Sequence, residues 1–154
     1  MDSVTEDEAR ALLAITHVCE DAEPEDWQVL EKPFGAYTFE QGLVTEGGSN
    51  SGLVVQLNFY RSPETNLITV KMSVFRQVRK QPKTRVYQLH ITTKSYNPEN
   101  WHDEAHEHFG DGRDPVPQWR DWRSFNDVLE FFCKQTNIEF RPELDDPEQL
   151  RLKP

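Results

Sequence analysis

The chain has 154 residues, 36% of them hydrophobic, and a formal net charge of −10. That length supports one domain with its own core, to which nine Phe, four Trp and four Tyr bring much of the apolar area. The charge opposes non-specific nucleic-acid binding over the whole surface, and no apolar run approaches the roughly 20 residues that span a bilayer.

Charge is unevenly spread. Residues 1–50 carry a net −10, residues 51–94 a net +7 and residues 95–154 a net −7. Acidic ends folded against a basic middle would compensate internally; the alternative is a binding surface. The N-terminus is acidic and lacks the basic and apolar regions of a signal peptide, so a cytoplasmic location is expected. Cys19 and Cys133 are far apart in sequence and read as two reduced core thiols on helices.

In chain order, Thr5-Glu6-Asp7-Glu8 has the form of a capping box. Ala9, Leu12, Leu13, Thr16 and Cys19 follow at helical spacing, which predicts a helix over about residues 6–20 with His17 near its middle. An acidic break over residues 20–26 comes next. Trp27 to Lys32 and Tyr37 to Glu46 are predicted as short strands around a Pro33-Phe34-Gly35 turn, and Gly47 to Gly52 as a flexible connector. Leu53, Val55, Leu57 and Phe59 then alternate with Val54, Gln56, Asn58 and Tyr60. Ile68, Val70, Met72 and Val74 alternate with Thr69, Lys71, Ser73 and Phe75, and Tyr87, Leu89 and Ile91 with Gln88, His90 and Thr92. Period-2 alternation across short turns predicts an antiparallel meander with one buried face.

A polar loop, Lys94 to Asn100, leads to Trp101-His102-Asp103-Glu104-Ala105-His106-Glu107-His108-Phe109-Gly110-Asp111-Gly112-Arg113. This segment holds three of the five histidines. Trp119 and Trp122 are expected to pack over a second helix capped by Ser124, in which Phe125, Val128, Leu129, Phe132 and Cys133 keep helical spacing until Thr136-Asn137. Ile138 to Phe140 is predicted as a last short strand. The expected fold is α+β, an antiparallel meander sheet packed with an N-terminal and a C-terminal helix. It forms a single domain over residues 1–141, followed by a charged, loose tail over residues 142–154.

Chemistry concentrates in the histidine segment. On a strand, His106 and His108 face the same side about 6–7 Å apart. Such a pair suits a divalent metal if His90 or His102 adds a third ligand and Asp103, Glu104 or Asp111 completes the shell. The spacing is not a specific metal signature, so no metal ligand set is assigned and no cofactor is expected. The same imidazoles suit metal-free acid/base work on RNA, where the ribose 2′-hydroxyl is the nucleophile and a cation faces the phosphate. The candidate catalytic residues are His106, His108 and His90. Lys71, Arg76, Arg79, Lys80, Lys83 and Arg85 are the candidate phosphate contacts, with Tyr60 and Phe75 as base-stacking rings. The competing reading of the basic hairpin is solubility and edge protection. Gly110-Asp111-Gly112 reads as a tight turn.

The layout resembles that of small bacterial and mobile-element families related to TumE-type toxins of toxin–antitoxin pairs. The matching residues are Tyr87-Gln88-Leu89-His90-Ile91, then His106-Glu107-His108, then Ser124 to Cys133, so the likeness covers residues 53–140. It implies that His106 and His108 come first among the functional residues.

The expected function is therefore a toxin-like small protein acting on RNA by histidine chemistry, as a metal-independent ribonuclease if it is an enzyme. The alternative is a non-enzymatic acidic protein that inhibits a host nucleic-acid-binding defence enzyme, with Glu6, Asp7, Glu8, Glu20 and Asp21 as the contact surface. The partner is accordingly RNA or a protein, either an antitoxin or a host defence protein, and no membrane is involved.

Overall fold

A computed structural model describes residues 2–20, 22–23, 26–93 and 105–152. Within them lie two helices, α1 (Glu6–Leu13) and α2 (Phe125–Thr136), and nine strands. The strands are β1 (His17–Glu20), β2 (Gln28–Glu31), β3 (Phe34–Thr45), β4 (Asn50–Arg61), β5 (Ile68–Arg76), β6 (Thr84–Thr92), β7 (His106–Phe109), β8 (Asp114–Pro115) and β9 (Ile138–Arg141). They form one sheet in the order β8-β7-β6-β5-β4-β3-β1-β9, and β2 pairs with β3 beside this path. All pairs are antiparallel except β1 with β9. The α+β class and the alternating run over β4, β5 and β6 match expectation, but the sheet is larger than a simple meander.

Helix α1 opens at Thr5, whose hydroxyl accepts the Glu8 N–H at 3.2 Å. A second acceptor arrives from far along the chain, where Asp111 Oδ1 takes the Glu6 N–H at 3.0 Å. Glu8 meets Arg76 at 3.5 Å across the fold. The helix ends at Leu13, well short of residue 20, and this corrects the placement of His17 and Cys19 on it. His17, Val18 and Cys19 are all buried, as in a strand covered on both faces. Both edges of β1 are paired, antiparallel with β3 and parallel with β9. The Asn137 side chain ties this corner together. It accepts from Thr16 Oγ1 at 3.1 Å and donates to the Ala14 carbonyl at 3.3 Å.

The glycine-rich connector is a tight turn, because β3 runs to Thr45 and β4 begins at Asn50. One sheet face, carrying Leu53, Val55, Leu57, Phe59, Val70, Met72, Leu89 and Ile91, is buried under α2. Ser124 caps that helix by accepting the Asp127 N–H at 3.1 Å, and Asn137 ends it in the left-handed conformation. Phe125 meets Trp27 at 5.7 Å and Phe59 at 6.1 Å, and Phe132 meets Tyr87 at 5.7 Å between ring centroids. Trp119 packs on Phe131 and Trp122 on Phe59. Both cysteines are free thiols, Cys19 buried and Cys133 half-buried, and burial pushes each up to about 12.

The segment after Pro142 also contacts the domain. Leu144 is buried, the Asp145 carbonyl accepts the Trp27 indole N–H at 3.2 Å, and Arg61 grips Glu148 at 2.7 and 2.8 Å.

The Gly-Asp-Gly turn joins β7 to β8 and seats α1. Gly110 has φ +58°, its N–H donates to Val86 O at 2.7 Å, and a Cβ there would overlap the Val4 and Thr5 carbonyl oxygens. Gly110→Ala should therefore cost about 2–4 kcal/mol, through strain and overlap with rigid backbone. A denaturant midpoint unchanged from wild type would show that this contact does not constrain the fold.

Candidate functional site

The site lies on the face of the sheet opposite α2. Strand β7 pairs with β6 so that His106 stands opposite His90 and His108 opposite Gln88. Strand alternation sends Glu107 and Phe109 to the core and both imidazoles to the other side. The rings of His90 and His106 lie 5.4 Å apart and those of His106 and His108 5.0 Å apart, both edge to face. All three candidate histidines are thus brought together. The register continues across the sheet. Lys71 stands opposite His90, and Ser73 opposite Gln88, with a 3.0 Å hydrogen bond from the Gln88 amide to the Ser73 hydroxyl.

Hydrogen bonding sets two tautomers. His108 Nδ1 lies 3.1 Å from the Gly112 carbonyl, which only accepts, so Nδ1 carries the proton and Nε2 keeps its lone pair. His106 Nδ1 lies 3.4 Å from Arg113 Nη2, which only donates, so the proton of neutral His106 sits on Nε2. Burial lowers His108 from its ordinary 6.5 to about 4, and Arg85 and His106 push the same way. The Gly112 carbonyl opposes the shift, and Arg113 adds to it more weakly. His108 is therefore neutral at pH 7, while His106 is only 8% exposed.

The expected basic surface divides into three parts. Lys71 is exposed beside His90, and Arg85 donates to the Gly110 carbonyl at 3.3 Å close to His108. Arg76 and Lys83 are drawn into ion pairs with Glu8 and Glu40. Arg79 and Lys80 stand exposed at the tip of the β5–β6 hairpin. Phe75 cannot serve as a stacking ring in this form, because it is 3% exposed and the Lys83 ammonium lies over it at 5.7 Å. Tyr60 remains half-exposed on the polar face. Of the acidic N-terminal set, Glu6 pairs with Arg10 and Glu8 with Arg76, Asp7 and Glu20 are exposed, and Asp21 lies outside the described residues.

Among the described residues, no group of three or more His, Cys, Asp or Glu is arranged to hold a metal ion. Asp111 faces the start of α1, and His102, Asp103 and Glu104 lie outside the described residues.

Two features went unforeseen. Arg113 reaches His106 because the Gly-Asp-Gly turn folds β8 back along β7; the turn was legible, its return strand was not. Behind the histidines, Glu107 is 7% exposed on the core side. It accepts from Tyr87 Oη at 2.7 Å and from Gln135 Nε2 at 3.0 Å. Burial and this carboxylate push the Tyr87 phenol far up, so it stays a donor. Nothing local in the sequence distinguishes Glu107 from its solvated neighbours.

A scan of protein-family models, a search of curated proteins and a search of solved structures each return no match.

The depressed His108 has a stability consequence. Between pH 6.5 and about 4 the unfolded chain binds this proton and the folded one does not, so the contribution is complete above 6.5 and is lost as pH falls toward 4. His108→Gln should therefore lose less stability than wild type between pH 7 and 4.5, measured as urea midpoints. Parallel pH slopes would contradict the buried neutral imidazole.

Proposed function

We propose that the chain is a toxin-like protein that cleaves single-stranded RNA by metal-independent acid/base chemistry on the polar face of β6 and β7. The reading rests on one observation: the β6–β7 register sets three imidazoles in a row, His106 against both His90 and His108, beside Lys71, Arg85 and Arg113. His108, neutral with its Nε2 lone pair available, takes the proton of a ribose 2′-hydroxyl. The 2′-oxygen attacks the adjacent phosphorus and the P–O5′ bond breaks. His90, in its protonated form, supplies the proton to the leaving 5′-oxygen, giving a 2′,3′-cyclic phosphate and a 5′-hydroxyl, while His106 packs between the other two rings. The nearby cations offset charge on the pentacoordinate phosphate. A toxin role, paired with an antitoxin or carried on a mobile element, is the setting that the sequence resemblance implies.

The acidic-inhibitor alternative draws less support, since Glu6 and Glu8 of its contact surface each have a cation, Arg10 and Arg76, beside them.

Purified protein should cleave single-stranded RNA in the presence of EDTA and leave DNA of the same sequence intact, because DNA lacks the 2′-hydroxyl. His108→Ala and His106→Ala should each lower the rate about 10²–10⁴-fold. The acid limb of the pH profile should fall near 4, where His108 gains its proton. In cells, induced expression should arrest growth and both substitutions should relieve it. Intact RNA with the wild-type protein, or cleavage indifferent to both substitutions, would sink the proposal.

A further inference from the structure

α2, β9 and the segment after Pro142 form a groove of about 700 Å³, which none of His90, His106 and His108 lines. Its volume is that of a ligand-sized cleft. Leu129 and Leu144 supply apolar lining, and Glu130, Glu143, Asp145 and Asp146 surround them. The one guanidinium lining it, Arg141, is paired with Glu139. The groove therefore suits an apolar group flanked by cations.

The chain carries such a group itself. At the tip of the β5–β6 hairpin, Gln81 N–H closes a turn on Val78 O at 3.1 Å. Val78 is 53% exposed there, and Arg79 and Lys80 follow it, both exposed. The tip belongs to the basic middle of the chain, net +7, and the groove to its acidic C-terminal part, net −7. Part of that opposition is met within the molecule, by Arg61 with Glu148 and by Lys83 with Glu40. The tip cations Arg79 and Lys80 and the groove carboxylates Glu130 and Glu143 carry opposite charge.

We infer that a second copy of this chain docks its Val78-Arg79-Lys80 tip into the α2–β9 groove. The contact sets one patch against a different patch; made reciprocally it closes a two-fold dimer, and made once per pair it builds rings or open chains. Val78 enters against Leu129 and Leu144, and the two cations face the carboxylates. Because the charges sit at an exposed rim, the association weakens with salt.

Sedimentation velocity on the full chain tests this by charge reversal. Wild-type mass should rise with concentration at low ionic strength and fall back at high salt. Arg79→Glu with Lys80→Glu should weaken self-association at least tenfold, and so should Glu130→Lys with Glu143→Lys. Mixing the two reversed proteins should restore association, since the basic tip left on one then meets the acidic groove left on the other. A wild-type chain that stays monomeric at every concentration overturns the inference. So does association that ignores both reversals, or a failure of the mixture to recover. If the chain stays monomeric yet the Gln77–Lys83 peptide binds the groove, its occupant is a basic segment of another protein, and self-docking is rejected.

Discussion

The antiparallel register of β7 on β6 is the constraint on which the site depends. It divides His106-Glu107-His108 between two faces, two imidazoles outward and one carboxylate inward. A slip of one residue would reverse all three, sending the imidazoles to the core side and the carboxylate to the opposite face. The inward partner makes that slip costly, because Glu107 is held by Tyr87 from β6 and Gln135 from α2, and a buried carboxylate without donors is strongly disfavoured. The polar network beneath the sheet thus fixes the arrangement above it.

The Gly-Asp-Gly turn extends the same constraint in two directions. Its backbone returns the chain so that the Gly112 carbonyl orients His108 and Arg113 orients His106. Its Asp111 side chain and the close approach of Gly110 to Val4 and Thr5 seat the start of α1. A segment that reads as a loop between acidic residues is therefore the junction of site, sheet and helix. Asp111, a possible metal ligand by spacing, is committed to a helix N-terminus, where a carboxylate is favoured by free N–H groups and the helix dipole.

Part of the charge asymmetry is compensated within the molecule. The three charge blocks fold so that Arg76 meets Glu8, Lys83 meets Glu40 and Arg61 meets Glu148. Pairs this exposed add little stability one by one. Each of these pairs sets a cation of the basic middle beside a carboxylate of an acidic end. The cations that stay near the histidines are Lys71, Arg85 and Arg113.

The elements legible from local pattern were those whose partners lie nearby. Alternation in β4, β5 and β6 and the capped apolar stripe of α2 are period-2 and period-3.6 signals read within one segment. The shared face of His106 and His108 follows from the same alternation. β1 escaped because a strand covered on both faces has no alternation to display, and its parallel partner β9 lies near the other end of the chain. Its apolar spacing fits a helix equally well. The contact of His90 with His106, the tautomers of His106 and His108, and the commitment of Asp111 and Glu107 to packing were decided by strand order and chain return. Those are tertiary facts, because a side chain's hydrogen-bond partner is set by what folds against it, and the residues on either side of it in sequence do not encode that.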